Sequence, residues 1–152
     1  VFETPPLDED VTIAGDVAVT LFVSSDRPTT DFTAKLVDVH PPGPDYPEGF
    51  AMNLTDGILR ASFRNGFSRP EPLSPGEVAE LTIRLYPTAN RFLAGHRIRL
   101  EVSSSNFPRF DVNPNFAPGE DLSPVRLPAI NRVHLGPDQP SRLLLHRLTA
   151  DR

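Results

Sequence analysis

Apolar and polar residues alternate with a period of two along several short segments of this chain. In the segment 17–24 every second position is strongly apolar, and these positions are Val17, Val19, Leu21 and Val23. Segments 77–86 and 96–104 alternate in the same way, with charged residues between the apolar ones. This period is typical of a β-strand with one buried face and one face in water, so the chain is predicted to contain half-buried antiparallel strands.

Further segments of strand length surround these three. They are rich in β-branched or alternating residues and comprise residues 32–39, 50–54, 58–64, 129–135 and 141–148. The Asp56-Gly57 pair between two of them favours a tight β-hairpin. A helical turn is expected only at residues 87–93, and residues 107–128 are expected to be irregular.

Proline and glycine punctuate the chain throughout. It has 18 prolines and 9 glycines in 152 residues, which leaves room only for short elements joined by turns. Short alternating strands with long proline-rich connections favour a β-sandwich or jelly roll. We therefore predict a single all-β domain over residues 1–152.

Charge and composition exclude several classes of function. Fifteen Lys plus Arg against 20 Asp plus Glu give a net charge of −5, which argues against a nucleic-acid partner. No apolar run approaches the roughly 20 residues needed to cross a bilayer, so no membrane partner is expected. The absence of cysteine excludes disulfides, thiol nucleophiles and cysteine-bound zinc. Nothing in the sequence directs export, which favours a cytoplasmic location.

Candidate catalytic residues are not found in the sequence. The strained Gly-x-Ser-x-Gly elbow of many serine hydrolases does not occur. The four histidines are far apart along the chain and are predicted to be scattered at the surface or at strand ends: His40, His96, His134 and His146. No catalytic residue is therefore predicted, and whether the chain is an enzyme is left open.

One acidic segment begins like a calcium loop. Asp111-Val112-Asn113-Pro114-Asn115 has alternating oxygen ligands, but Phe116 stands where that loop needs glycine and Leu122 where it needs glutamate. A polar turn with Asx hydrogen bonds is the favoured interpretation. Neither a metal ion nor another cofactor is predicted.

The segment Asn106-Phe107-Pro108-Arg109-Phe110 is the strongest candidate for a contact surface. Arginine and aromatic residues are enriched at the centres of protein interfaces, although the two phenylalanines could equally close one end of the core. The candidate interface residues are Asn106, Phe107, Arg109, Phe110, Asp111 and Asn113.

The chain resembles, over nearly its whole length, the C-terminal domain of the Xaa-Pro dipeptidyl-peptidase and cocaine esterase family of serine hydrolases. The matching stretches are residues 2–7, 14–17, 30–39, 54–60 and 94–111. The resemblance implies a jelly-roll, galactose-binding-like β-sandwich beside an α/β-hydrolase domain that carries a Ser-Asp-His triad. It also implies hydrolysis of acyl esters, amino-acid esters or Xaa-Pro peptides by the parent protein. None of the triad positions falls in this chain.

Several expectations follow from this resemblance. The chain is expected to be a non-catalytic module that supports the catalytic domain and contributes to oligomer contacts. Because the family's domain begins further upstream, N-terminal strands are expected to be missing, and the resulting free sheet edge predicts a homodimer. The alternative is an independent carbohydrate-binding module, although the chain has no tryptophan for stacking on sugars.

Overall fold

The computed structural model describes residues 1–117, 119–120 and 125–149. Within them the chain forms antiparallel strands and one short 3₁₀ turn at Ala61–Phe63. The strands are β1 (Phe2–Glu3), β2 (Val11–Ser25), β3 (Asp31–His40), β4 (Phe50–Arg60), β5 (Ala79–Phe92), β6 (Arg97–Ser103), β7 (Asn131–His134) and β8 (Arg142–Leu144).

The strands form two sheets of four. The first sheet has the order β1-β6-β3-β4, and the second has the order β5-β2-β7, with β8 also paired to β2. Side chains from both sheets form one hydrophobic core, so the predicted all-β sandwich is confirmed. The finer jelly-roll and galactose-binding-like labels remain predictions.

The core follows the alternation seen in the sequence. On β5, Leu81, Ile83 and Leu85 are buried while the residues between them are exposed. The largest fully buried apolar side chains come from both sheets, and they are Phe32, Phe92, Ile13, Leu21, Leu36, Leu81 and Ile83. The strand predictions for segments 17–24, 32–39, 77–86 and 96–104 are therefore confirmed, although β2 and β5 run several residues further than the alternation indicated.

The predicted hairpin at Asp56-Gly57 is wrong. β4 continues through both residues, and Gly57 pairs with Ala34 of β3 in the ladder. A Cβ atom at Gly57 would lie 2.6 Å from the carbonyl oxygen of Arg84, a residue of β5 in the other sheet. A glycine is thus needed at this position because the backbone of another strand approaches closely. Close approach, and not only a turn, is a common reason for glycine inside a strand.

The predicted helical turn at residues 87–93 is also wrong, because β5 continues to Phe92. The register shifts there, so the single residue Asp16 of β2 lies opposite Tyr86 and Pro87 of β5. A proline cannot donate to the ladder, and a bulge is one of the few positions in a sheet that tolerates it.

The long stretch between β6 and β7 contains no strand in its described part, which agrees with the prediction of an irregular segment at residues 107–128. Residues 118 and 121–124 of that prediction lie outside the described residues, as do residues 150–152 of the predicted single domain.

The edge of β6 is largely covered by the N-terminal segment. β1 pairs with β6 at Leu100 and Arg99, and the amide of Leu7 donates to the carbonyl of His96 at 2.8 Å. The homodimer through a free sheet edge therefore stays a prediction. The part of the β6 edge that lies beyond its pairing with β1 comprises residues 101–103. In the part of the chain that the structure describes, no helix is long and apolar enough to cross a membrane.

Candidate interface on the outer face of the first sheet

Two buried aspartates lie on the outer face of the first sheet. Asp31 of β3 is opposite Arg60 of β4, and Asp56 of β4 is opposite Lys35 of β3. Phe32 next to Asp31 packs in the core, as does Leu36, which pairs with Thr55 next to Asp56, so the two carboxylates point away from the core. The chain that follows β6 returns over this face and covers them.

Asp31 anchors the far end of this returning segment. Arg60 donates to its carboxylate through Nε at 2.8 Å and Nη2 at 3.1 Å, a bidentate pair. The amide of Asn113 donates to Oδ1 at 2.8 Å. The hydrogen bonds from Arg60 to Asp31 raise the pKa of the Arg60 guanidinium above its ordinary value. The buried carboxylate is thus compensated by a cation and an amide together.

Asp56 anchors the near end. Arg109 Nη1 lies 2.9 Å from Oδ1 of Asp56, and the Asn106 amide donates to Oδ2 at 2.8 Å. Residues 106–113 are therefore attached to the sheet at three side chains, Asn106, Arg109 and Asn113. Charge-assisted hydrogen bonds to buried carboxylates fix a loop more firmly than exposed contacts do.

Aromatic rings surround these anchors on the solvent side. The Arg109 guanidinium lies 5.6 Å from the ring centroids of both Tyr86 and Phe110. Phe110 and Phe67 line a cavity of about 280 Å³ on the same face. Phe67, Tyr86 and Phe107 are 83%, 63% and 69% exposed. We call Phe67, Tyr86, Phe107, Arg109 and Phe110 the aromatic face.

The predicted interface residues divide into two groups. Asn106, Arg109 and Asn113 hold the loop to the sheet, whereas Phe107 and Asp111 are exposed and Phe110 is half-buried. Phe107 therefore does not close the core. Sequence reasoning missed Tyr86 and Phe67, which come from distant segments and reach this surface only through the fold. That the surface is an interface remains a prediction.

The polar turn at residues 111–115 has the predicted Asx hydrogen bond. The backbone N–H of Asn115 donates to the side-chain oxygen Oδ1 of Asn113 at 2.9 Å, and Asn115 has a φ of 66°. The side-chain nitrogen Nδ2 of Asn113 donates to Asp31, so both polar atoms of this side chain have protein partners. The Asx turn is the alternative that the sequence favoured over a calcium loop.

A serine–histidine pair joins β2 and β7. Ser24 Oγ lies 2.8 Å from His134 Nε2, a distance typical of a nucleophile and its base. Ser24 is buried within β2, and among the described residues no carboxylate bonds to His134. The hydroxyl is on a regular strand with no strained turn to expose it, so the pair is not arranged for attack on a carbonyl.

The expectation that all four histidines are scattered is wrong for two of them. His40 and His96 have ring centroids 4.2 Å apart, and both lie beside the Asp38 carboxylate. The antiparallel register of β3 and β6 pairs Val39 with Arg97 and so brings the adjacent histidines together. The cluster cannot be predicted from the spacing of the histidines in the sequence, because it depends on how β3 and β6 pair.

Comparisons with known proteins cover almost the whole chain. Residues 1–144 match the family described as the X-Pro dipeptidyl-peptidase C-terminal non-catalytic domain. The chain is 43% identical over 147 residues to a cocaine esterase of Rhodococcus sp. (strain MB1 Bresler), a match that covers 95% of this chain and 24% of the esterase.

Two solved structures agree with this result. One is an alpha-amino acid ester hydrolase, with a TM-score of 0.91, and the other is an aminopeptidase from a marine sediment archaeon, Thaumarchaeota archaeon, with a TM-score of 0.85. Each is 31% identical, and the match covers 97% of this chain and 25% of the solved chain. The chain thus spans about a quarter of the length of these relatives. It belongs to the family of X-Pro dipeptidyl-peptidase C-terminal non-catalytic domains.

Proposed function

We propose that this chain serves as the C-terminal accessory module of a larger serine hydrolase and packs against an α/β-hydrolase catalytic domain through the aromatic face. The parent protein is proposed to hydrolyse acyl esters, amino-acid esters or Xaa-Pro peptides. The proposal is supported by the family of the chain and by its length of about a quarter of its relatives, which include an esterase, an ester hydrolase and an aminopeptidase.

The observation that supports this docking site most strongly is the exposure of large aromatic rings on and beside a loop that is itself held firmly to the sheet. Phe67, Tyr86 and Phe107 are each more than half exposed, and the Arg109 guanidinium lies 5.6 Å from the centroid of the Tyr86 ring. Large exposed apolar side chains that are grouped on one surface mark sites of protein contact. Tyrosine, phenylalanine and arginine are also enriched at the centres of interfaces.

The anchors below the rings give the surface its shape before a partner binds. Asp31 and Asp56 are both buried, and each holds a side chain of the loop by hydrogen bonds of 2.8 to 2.9 Å. A loop that is already ordered loses less conformational entropy on association. The module is therefore suited to buttress a partner domain and to shape the rim of its substrate pocket, while the reaction itself takes place in the partner.

Replacement of Phe107 by alanine tests the docking site. The variant is expected to bind the separately expressed catalytic domain of the parent protein about 10-fold more weakly, because truncating an interface anchor commonly costs more than about 1 kcal/mol. Titration calorimetry measures the affinity. Since Phe107 is 69% exposed, the thermal unfolding midpoint of the isolated chain should not change. Adding Phe110→Ala should weaken binding further.

The matched control is Phe50→Ala. Phe50 is also exposed and begins β4, whereas Asp56, which holds Asn106 and Arg109, is six residues further along the strand, about 20 Å away at the usual rise. Its loss should leave the affinity unchanged. Equal affinity of wild type and Phe107→Ala for the catalytic domain would contradict the proposed contact. The independent carbohydrate-binding module and the cytoplasmic location stay predictions from the sequence.

A further inference from the structure

Three potential metal ligands meet at one end of the sandwich. Asp38 and His40 are two residues apart on β3 and so point to the same face of the sheet. His96 directly precedes β6 and lies across from His40, because Val39 pairs with Arg97. The face is the inner one, since Asn90 of the opposite sheet donates to Asp38 at 3.1 Å. The cluster thus joins two strands of one sheet and faces the other sheet.

The two imidazoles lie nearest to different oxygens of the carboxylate. His96 Nδ1 lies 2.8 Å from Oδ1 of Asp38, and His40 Nε2 lies 3.6 Å from Oδ2. One ligand atom from each of the three residues lies within 4.8 Å of the other two. Zinc binds nitrogen at about 2.0–2.1 Å, which separates two tetrahedral ligands by about 3.3 Å. The observed separations lie on both sides of that value, so small side-chain rotations suffice.

The cluster is not satisfied by protein groups alone. His40 Nε2 is buried and has no hydrogen-bond partner. The Asp38 carboxylate is only 2% exposed, and within the described residues no lysine or arginine pairs with it. A buried polar nitrogen without a partner and a buried carboxylate without a fixed cation are both costly. A bound cation would satisfy both.

We propose that Asp38, His40 and His96 form a binding site for one divalent transition-metal ion of the zinc class. Two imidazoles and one carboxylate suit zinc, whereas magnesium and calcium prefer oxygen ligands alone. Three protein ligands leave one position for water. The Asn90 amide would hold the carboxylate in position, as partners of metal-binding carboxylates commonly do.

The ion would reach the site from the side of His40. This side chain is 34% exposed, and its ring lies 5.8 Å from that of Phe50, which stacks at 4.8 Å on Tyr46 in the proline-rich loop after β3. A metal bound here would link β3 to the start of β6. The proposal does not depend on contact with a catalytic domain.

Calorimetric titration of the chelator-treated 152-residue chain with ZnCl₂ tests the site. One ion should bind per chain, and MgCl₂ should give no binding. His40→Gln should weaken zinc binding at least about 100-fold, since even the loss of a residue that only orients a ligand costs about 10–100-fold. His40→Gln keeps the bond of 2.8 Å between Asp38 and His96, so the variant should fold, which circular dichroism verifies.

His146→Gln is the matched control, because His146 is exposed and lies outside the cluster. This variant should bind zinc as the wild type does. Zinc should also raise the thermal unfolding midpoint of the wild type and of His146→Gln, but not that of His40→Gln. The site is overturned if the wild type binds no zinc at one ion per chain, or if His40→Gln binds it with unchanged affinity.

Discussion

Replacement of Gly57 by alanine is expected to lower the free energy of unfolding by about 3 kcal/mol, at the upper end of what overpacking a core costs. The added Cβ atom would lie 2.6 Å from the carbonyl oxygen of Arg84 and 3.3 Å from its carbonyl carbon. Both atoms belong to the backbone of β5, which cannot move aside without separating the two sheets. Urea denaturation followed by circular dichroism measures the loss.

Gly43→Ala provides the control for this prediction. Gly43 has no atom within 4 Å of the position of an added Cβ, and it lies in the proline-rich loop after β3. Its replacement should be neutral or stabilising by up to about 1 kcal/mol, because alanine restricts the unfolded chain. If the two variants had the same stability, the close approach of β4 and β5 at Gly57 would be disproved.

Replacement of Asp31 by alanine is the second change with a large expected effect. It removes the acceptor for Arg60 and leaves the buried Asn113 amide nitrogen without its partner. Removing one partner of a buried, charge-assisted hydrogen bond lowers the free energy of unfolding by about 3 kcal/mol. The loss should not be larger, because the Arg60 side chain is partly exposed and can turn toward water. Thermal denaturation should show the loss. The amides of residues 106–113 should also exchange faster, because the loop loses its far anchor.

An exposed ion pair supplies the comparison for Asp31. Glu9 and Arg147 lie 2.7 Å apart and are both more than half exposed. Glu9→Ala should change the free energy of unfolding by less than about 1 kcal/mol, since water and salt screen such pairs. An Asp31→Ala variant as stable as Glu9→Ala would mean that the outer face of the first sheet does not hold the loop.

The alternation of apolar residues was enough to predict several of the strands and much of the core. Val17, Val19, Leu21 and Val23 are all buried, because residues at every second position on a strand share one face. Strand ends were harder to predict. The bulge beside Pro87 keeps β5 in the sheet, whereas the sequence alone showed only a proline that interrupts the pattern.

The remaining errors have one physical origin: they depend on contacts between segments that are distant in sequence. Asp56-Gly57 is a strong local signal for a turn, but the backbone of β5 beside it determines the outcome. The association of His40 with His96 depends on the register of β3 and β6. Asp31 was an unremarkable acidic residue in the sequence, and only the return of the loop over the sheet makes it an anchor.

The residues of the aromatic face were likewise only partly predictable from the sequence. Phe107 and Arg109 were identified from their residue types in a proline-stiffened segment, whereas Tyr86 and Phe67 were not. The resemblance to a non-catalytic domain, confirmed by the match over residues 1–144, accounts for the absence of a serine-hydrolase elbow from the sequence.

Amide hydrogen exchange on this chain, with and without the separately expressed catalytic domain of its parent protein, tests the central proposal most directly. We expect added protection at residues 106–113 and around Tyr86, the segments that carry the aromatic face. The part of the second sheet where β2 pairs with β8, at residues 18–20, should be unaffected. Protection confined to β8 and the residues of β2 that pair with it, or no change at a concentration where the two domains should associate, would contradict the proposed docking.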